Sequence, residues 1–186
     1  QMSEYTLEHS DEFPGAATRT PENLRAGFQD WYGFECLNHP FQSYVYINSD
    51  ENPTKLDKYQ TDALTDYAVE YIENYDKDQP FFMTLSVEPP HFPCTPPEGW
   101  EREDYDSLEV RPNFAEMNPQ FQDFEPDMGE TTLRKILANY YGMVENLDWN
   151  IGRVIQCLED KGILENTLIV YISDHGDLMG SHGLQS

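Results

Sequence analysis

An aspartate and a histidine stand side by side where an apolar run ends. Asp174 and His175 follow the segment TLIVYIS (167–173), and Gly176 comes next. Neighbouring side chains of a strand point to opposite faces, so the two can serve one site only if the backbone turns here, which Gly176 allows. A carboxylate oxygen and an imidazole nitrogen make half of a divalent metal site. The alternative is an ordinary strand-end turn in which Asp174 accepts a hydrogen bond from a following backbone N–H.

Two further histidines are candidates for the same chemistry. His91 lies in EPPHFPCTPPEGW (88–100), which must be a loop because proline cannot donate to a sheet ladder. An imidazole titrates near neutral pH and suits a general acid, and the prolines around it would restrict its motion. The alternative for His91 is a purely structural role. His182 lies in the glycine-rich stretch GSHG (180–183), and either lines the site or is an exposed loop residue.

The elements that position these residues follow from the spacing of the apolar side chains. Helical spacing from Thr61 predicts one helix, and a longer helix is predicted from about Thr131 to Asp160. Gly162 stands where a helix C-cap glycine would. Continuous apolar runs predict buried strands at Phe81–Val87 and Thr167–Ile172.

The order helix, strand, loop, helix, strand is typical of an α/β fold with a mainly parallel sheet flanked by helices. Ligands of such sheets bind beyond the carboxyl ends of the strands. His91 follows the first predicted strand, and Asp174 and His175 follow the second. We therefore expect His91 to lie within roughly 10 Å of Asp174, a distance set by the size of a ligand site.

The remaining segments are less regular. Residues 1–26 are polar and rich in turn formers, which predicts a loop or peripheral segment, and residues 27–186 are long enough to form one domain around a single core. Tyr44–Ile47 is a candidate short strand. Residues 100–130 alternate acidic, aromatic and proline residues without a clear period, and we interpret them as an irregular insertion.

Composition excludes several classes of protein. The 186 residues carry a formal charge of −24, so no basic surface is available for nucleic acid. No apolar run approaches the roughly 20 residues that span a bilayer. The three cysteines lie far apart without a C-x-x-C pair, which disfavours a disulfide scaffold and a structural zinc site.

Three separated segments together resemble the sulfatase family of the alkaline phosphatase-like superfamily. They are GFQDWYGFECLNHP (27–40), PFFMTLSVEPPHFPCTPPEGW (80–100) and the stretch from Tyr140 to Ser186 with its Asp-His-Gly motif. They occur in the family's order, and the likeness covers roughly residues 26–186. It implies an alkaline phosphatase-like fold, incomplete in this chain, and a parent enzyme that hydrolyses sulfuric esters of a small molecule or carbohydrate.

The resemblance also implies roles for individual residues. Asp174 and His175 match the family's second pair of metal ligands, and His91 matches the histidine that contacts the sulfate and protonates the leaving group. His182 is a further substrate-binding candidate. The implied cofactor is one divalent cation, with calcium first and manganese or magnesium second, and we expect none to bind tightly to this chain alone. His39, in the aromatic segment, has no role in the site on this interpretation, and Asp177, close to the metal pair, is interpreted as a turn carboxylate.

Other parts of the family's catalytic site are missing. The nucleophile, a cysteine or serine of a C/S-x-P/A-x-R motif that matures to formylglycine, does not occur. Cys94 imitates the start of that motif, but Glu98 stands where arginine is required. The first pair of acidic ligands is also absent. Because Gln1 is not an initiator and the chain stops just after the Asp-His pair, we expect an inactive internal part of a longer enzyme.

Two alternatives remain at this point. Phosphate and phosphonate ester hydrolases of the same superfamily share the Asp-His-Gly pattern. A catalytically silent interaction module, using the acidic surface and the aromatic loops, is the second alternative. The resemblance slightly favours a periplasmic or other extracytoplasmic location, although the sequence itself leaves the compartment and the oligomeric state open.

Overall fold

A computed structural model describes residues 19–34, 40–114 and 129–182. The chain divides into two compact units, residues 1–91 and residues 92–186, which are described in turn. Of the predicted N-terminal peripheral segment, only residues 19–26 are described, and they hold a short 3-10 turn at Glu22–Leu24. His39 and Cys36 lie outside the described residues.

A small antiparallel sheet organises the first unit. Its strands are β1 (Tyr32–Gly33), β2 (Tyr44–Ile47) and β3 (Thr54–Lys55), with β2 in the centre. Tyr32 faces Ile47 in one ladder, and Tyr44 faces Lys55 in the other. The short strand predicted at 44–47 is therefore confirmed. Its inner side chain Val45 is fully buried and joins a core with Leu56, Ala63 and Leu64.

The first predicted helix is confirmed as α1, Gln60–Asn74. Its buried side chains include Leu64, Ala68 and Ile72, which recur at the spacing that brings helical residues onto one face. Half-buried tyrosines lie at the edge of that face. Tyr71 and Tyr75 pack with Phe81, their ring centres 6.1 and 5.1 Å from its ring.

The predicted strand Phe81–Val87 carries neither helix nor strand ladder in the structure. Both ends of the segment contact the rest of the first unit, because Phe81 packs on Tyr71 of α1 and Val87 packs on the core around Val45. Between them, Phe82 is 81% exposed. The segment was predicted to be buried, but its residues are half-buried or exposed.

In the second unit the predicted long helix is confirmed as α2, Glu130–Asp160. Gly162 follows the C-cap residue Lys161, as predicted for a helix-ending glycine, and its φ of +73° lies in the left-handed region where a Cβ is disfavoured. The amide of Gly162 donates to the carbonyl oxygen of Glu159, and that of Ile163 donates to Leu158. These two hydrogen bonds form a Schellman motif, which satisfies carbonyl groups that the helix leaves without partners.

The buried face of α2 differs in part from the predicted stripe. Leu133, Leu137 and Met143 enter a core with Cys94 and Met179. Val144 follows Leu137 by seven residues, a spacing that predicts both on one face, but it is 38% exposed. Two asparagines are fully buried instead, Asn146 and Asn150, and the side-chain amide of Asn150 donates to the Asn146 carbonyl oxygens. Hydrophobic spacing could not locate these positions because the buried side chains are polar.

The second predicted strand, Thr167–Ile172, also lacks a ladder, and the side chains of residues 168–172 are exposed. Leu168 and Ile172 are 89% and 81% exposed. The sheet found in the described ranges is antiparallel throughout, so the expected mainly parallel sheet is not confirmed. Strand pairing needs a partner backbone, and a local apolar pattern cannot show where that partner lies. Within the same described ranges, neither helix is long and apolar enough to cross a membrane.

Candidate functional site

Asp174 lies at a bend immediately after the apolar segment 167–173. Its side chain is 90% exposed, and that of His175 is 64% exposed. The backbone N–H of His175 donates to Asp174 Oδ1 over 2.9 Å. This is the local hydrogen bond expected of a strand-end turn, and it uses one of the two carboxylate oxygens.

The second carboxylate oxygen faces the imidazole ring, with Asp174 Oδ2 3.8 Å from His175 Nε2. His175 Nδ1 lies 3.0 Å from the carbonyl oxygen of Gly176. A carbonyl oxygen only accepts, so Nδ1 carries the proton and Nε2 of the neutral ring keeps its lone pair. The hydrogen bond to Gly176 raises the pKa of His175, and the negative charge of Asp174 raises it further.

This pair of donors fits a divalent cation. Two atoms 3.8 Å apart can both reach an ion at ligand distances of about 2.0–2.5 Å. A metal-binding histidine commonly donates its other ring N–H to a carbonyl group, as His175 does to Gly176. No group of three or more histidine, cysteine, aspartate or glutamate side chains suited to a metal occurs in the part of the chain that the structure describes. Asp174 and His175 would therefore be a partial ligand set.

The loop after this pair is fastened to a distant part of the second unit. Ser181 forms an isolated antiparallel bridge with Phe114, and the amide of His182 donates to the carbonyl oxygen of Asn113 over 3.1 Å. The side-chain nitrogen of Asn113 lies 3.2 Å from His182 Nε2. Because that amide nitrogen donates, Nε2 is the acceptor and the His182 ring carries its proton on Nδ1.

The same loop has an unusual backbone. Met179, Gly180 and His182 all have positive φ, at 46°, 84° and 57°. A Cβ on Gly180 would lie 2.7 Å from a methyl group of Leu133, so glycine is required there for space as well as for its backbone conformation. The loop that carries His182 is thus held against the start of α2.

His91 ends the first unit and is exposed. Its backbone N–H donates to the carbonyl oxygen of Glu88 over 3.0 Å, which closes a turn around the two prolines. The carboxylate of Glu88 accepts a hydrogen bond from the side chain of Gln60 at the start of α1. The predicted proline-rich loop is therefore tied down at its first residue.

Cys94, which resembles the start of a nucleophile motif, is buried in the core of the second unit and only 8% exposed. Burial raises the pKa of its thiol to about 12, and the nearby charge of Asp177 adds to this shift. The reactive form of a cysteine is its thiolate. The environment of Cys94 therefore agrees with the interpretation that it is not a nucleophile.

Asp174 and His175 are thus brought together, and His182 is paired with Asn113. His91 and Asp174 belong to different units, and their shared site stays a prediction. The polar partners Gln60, Glu88 and Asn113 were not predicted from the sequence. Glu88 has a local signal, since it is the first residue of the His91 loop, whereas Gln60 and Asn113 have none.

Comparison with known proteins identifies the family. The sequence model of the sulfatase family matches residues 6–186. The chain is 31% identical to an ulvan-active sulfatase from Formosa agariphila over 170 residues, which is 89% of this chain and 31% of that protein. It is 29% identical to an arylsulfatase from Clostridium perfringens over 131 residues, 66% of this chain and 27% of that protein. This chain belongs to the sulfatase family.

A solved structure agrees with this assignment. The crystal structure of yidJ from Bacteroides fragilis, a protein assigned to the sulfatases, superposes with a TM-score of 0.74 and 25% sequence identity. The match covers 88% of this chain and 36% of the B. fragilis chain. The chain therefore spans about a third of the length of these relatives.

Proposed function

We propose that this chain supplies part of the catalytic site of an enzyme that hydrolyses sulfate esters. The observation that carries the proposal is the match to the sulfatase family across residues 6–186. The substrate is a sulfated small molecule or carbohydrate. Residues 27–186 form the C-terminal part of the α/β catalytic domain, and the rest of that domain comes from sequence outside these 186 residues.

Asp174 and His175 are proposed to hold a divalent cation. The support is geometric: a carboxylate oxygen and a ring nitrogen face each other over 3.8 Å, and the far side of the imidazole is fixed by a carbonyl group. When bound, the cation would supply positive charge against the oxygens of the sulfate group. Asp174 contributes the negative charge that holds the ion, which a water molecule cannot replace.

Ligand chemistry and the family resemblance favour different ions. A histidine nitrogen in the ligand set favours manganese or magnesium over calcium, which prefers six to eight oxygen ligands. The family resemblance favours calcium, and we place calcium first. Two donors are too few to hold any of these ions tightly.

His91 is proposed as the general acid. An imidazole is partly protonated near neutral pH and can donate a proton to the leaving-group oxygen as the ester bond breaks. The turn from Glu88 to His91 limits the movement of the loop that presents the ring. His182 is proposed as a substrate-binding residue, with its Nδ1–H as the donor, since Nε2 is engaged by Asn113.

The nucleophile is proposed to come from elsewhere in the protein. The sequence contains no C/S-x-P/A-x-R motif, and the closest imitation, Cys94, is buried with a raised thiol pKa. A hydroxyl group of the hydrated formylglycine formed in that motif would attack the sulfur, and the S–O bond to the leaving alcohol would break as His91 protonates its oxygen.

The parallel sheet is proposed for the whole protein. Segments 81–87 and 167–172 are rich in β-branched and aromatic residues, which suit a buried strand. Phe82, Leu168 and Ile172 are more than 80% exposed. Pairing of these segments with strands from the rest of the domain would bury those side chains and place His91 and Asp174 at strand ends.

Two substitutions in the whole enzyme test the proposed site. Asp174→Ala should remove bound metal and sulfatase activity together. His91→Ala should keep the metal and lower kcat by about 10²–10⁴-fold, the usual contribution of a general acid. Metal content by elemental mass spectrometry and turnover of an aryl sulfate would be measured on the same samples, with aryl phosphodiester as the competing substrate.

Asp177→Ala is the matched control, because Asp177 is a neighbouring carboxylate that we interpret as a turn residue. It should retain its metal. Full metal content in Asp174→Ala would contradict the ligand role. Faster turnover of the phosphodiester than of the sulfate would assign the enzyme to the phosphate and phosphonate hydrolases instead.

A further inference from the structure

We infer that Gln60 is a positioning residue, which sets the His91 loop through a hydrogen bond to Glu88. The three residues belong to the first unit. Gln60 begins α1, 28 residues before Glu88, and Glu88 is three residues before His91. The inference rests on the proposed catalytic role of His91 and adds the question of what holds it in place.

Gln60 is itself held rigidly. Its side chain is fully buried, and its backbone N–H donates to the carbonyl oxygen of Pro40 over 2.7 Å. Its side-chain Nε2 also donates to Ser43 Oγ over 3.2 Å, and Ser43 is fully buried beside the central strand β2. A long side chain fixed at both ends loses no further rotamer freedom when it binds a third group.

That third group is the carboxylate of Glu88. Gln60 Nε2 donates to Glu88 Oε2 over 2.8 Å, and a hydrogen bond to an ionised acceptor is about twice as strong as one between neutral groups. Since a carboxylate only accepts, the orientation of the Gln60 amide is fixed by its partner. The hydrogen bond therefore joins the helix to the first residue of the loop.

The turn carries this restraint to His91. The carbonyl oxygen of Glu88 accepts the backbone N–H of His91, and the two residues between them are prolines, whose φ angles are fixed by their rings. Val87, directly before Glu88, packs on the core of the unit. The apolar packing of Val87 and the Gln60–Glu88 hydrogen bond, which we name the loop latch, therefore fix the start of the loop.

Exchanging the hydrogen-bond donor and acceptor tests the loop latch with side chains of nearly the same size. Gln60→Glu places two carboxylates against each other and should release the loop. The double variant Gln60→Glu with Glu88→Gln restores a hydrogen bond with donor and acceptor exchanged. Glu88→Ala removes the acceptor without placing a new charge in the interior, and covers the case in which Gln60→Glu fails to fold.

The first readout is hydrogen–deuterium exchange of the His91 amide in the whole protein. We expect exchange about tenfold faster or more in Gln60→Glu and in Glu88→Ala, and a return to within a few-fold of wild type in the double variant, since an opened turn leaves this N–H free to exchange. The second readout is kinetic. In the released variants kcat should fall about 10- to 100-fold with KM little changed, because a displaced catalytic group costs rate more than binding.

The charge-matched controls are Gln79→Glu and Glu70→Gln, which make the same changes at exposed positions and should alter neither readout. Unchanged exchange at His91 in both Gln60→Glu and Glu88→Ala would overturn the inference. So would a double variant as fast in exchange as Gln60→Glu. The proposed function fails separately, if His91→Ala leaves turnover unchanged.

Discussion

The reactivity of the Cys94 thiol measures how well the core of the second unit excludes solvent and reagents. Its pKa is raised by burial from 9.0 to about 12, so the thiolate at pH 8 is about a thousandfold rarer than in an unfolded chain. With Cys36 and Cys157 replaced by serine, an uncharged thiol reagent should label Cys94 slowly in the native protein and about a thousandfold faster in urea. Native labelling at the denatured rate would show that the core is open.

The same shift sets a pH dependence of stability. The folded state holds its thiol proton more tightly than the unfolded state, so the contribution of Cys94 is complete below pH 9.0 and is lost as the pH rises toward about 12. Replacing Cys94 by alanine should flatten this decline in the free energy of unfolding. An identical alkaline decline in the variant would assign the effect to other groups.

At the residue scale, the sequence predicted that Asp174 and His175 act as a pair, but it did not predict the hydrogen-bond partners of the site residues. Asp174 satisfies both interpretations, since one oxygen caps the next N–H and the other faces the His175 ring. The partner of His182, Asn113, lies 69 residues away in sequence. A hydrogen bond over that separation has no local pattern from which it could be predicted.

At the scale of elements, α2 contains two glycines with opposite surroundings. A Cβ at Gly142 would overlap the backbone carbonyl oxygen of Trp100 and lie 3.2 Å from Pro96 Cβ. A Cβ at Gly152 would meet no described atom within 4 Å. Gly142→Ala should therefore lower the free energy of unfolding by about 1–3 kcal/mol through overpacking. Gly152→Ala should raise it by about 0.5–1 kcal/mol, because alanine is the better helix former.

Urea denaturation of both variants beside the wild type measures the difference. Both substitutions are glycine to alanine in the same helix. If both raised the free energy of unfolding, helix propensity, and not contact with the Trp100 segment, would decide stability at Gly142. That outcome would contradict the packing described for the helix.

Helices were predicted better than strands for a physical reason. The period that defines a helix is local, and the predicted ends of α2 agree with Glu130–Asp160 to within one residue. A strand is stable only when paired, and the pairing partner of 81–87 or 167–172 is not specified by either segment. The short strand at 44–47 could be predicted because its partner strands lie close to it in sequence.

At the scale of the whole molecule, we predict that the 186-residue chain alone does not hydrolyse aryl sulfates. Its sequence has no formylglycine motif, and the described residues offer two metal donors at the candidate site. Without a nucleophile, covalent catalysis is lost. The test is turnover by the purified chain with calcium, manganese or magnesium added. Metal-dependent turnover faster than that of the Asp174→Ala variant of the chain would contradict the prediction.

The exposed segment LIVYI (168–172) has a consequence for solubility. It is uncharged, contains neither proline nor glycine, and consists largely of β-branched and aromatic residues, the composition that forms cross-β aggregates when left unpaired. Glu165 and Asp174 flank it with negative charges, which oppose the stacking of identical chains as gatekeeper residues do. We therefore expect Asp174 to oppose self-association of the unpaired segment, in addition to the metal-binding role proposed for it.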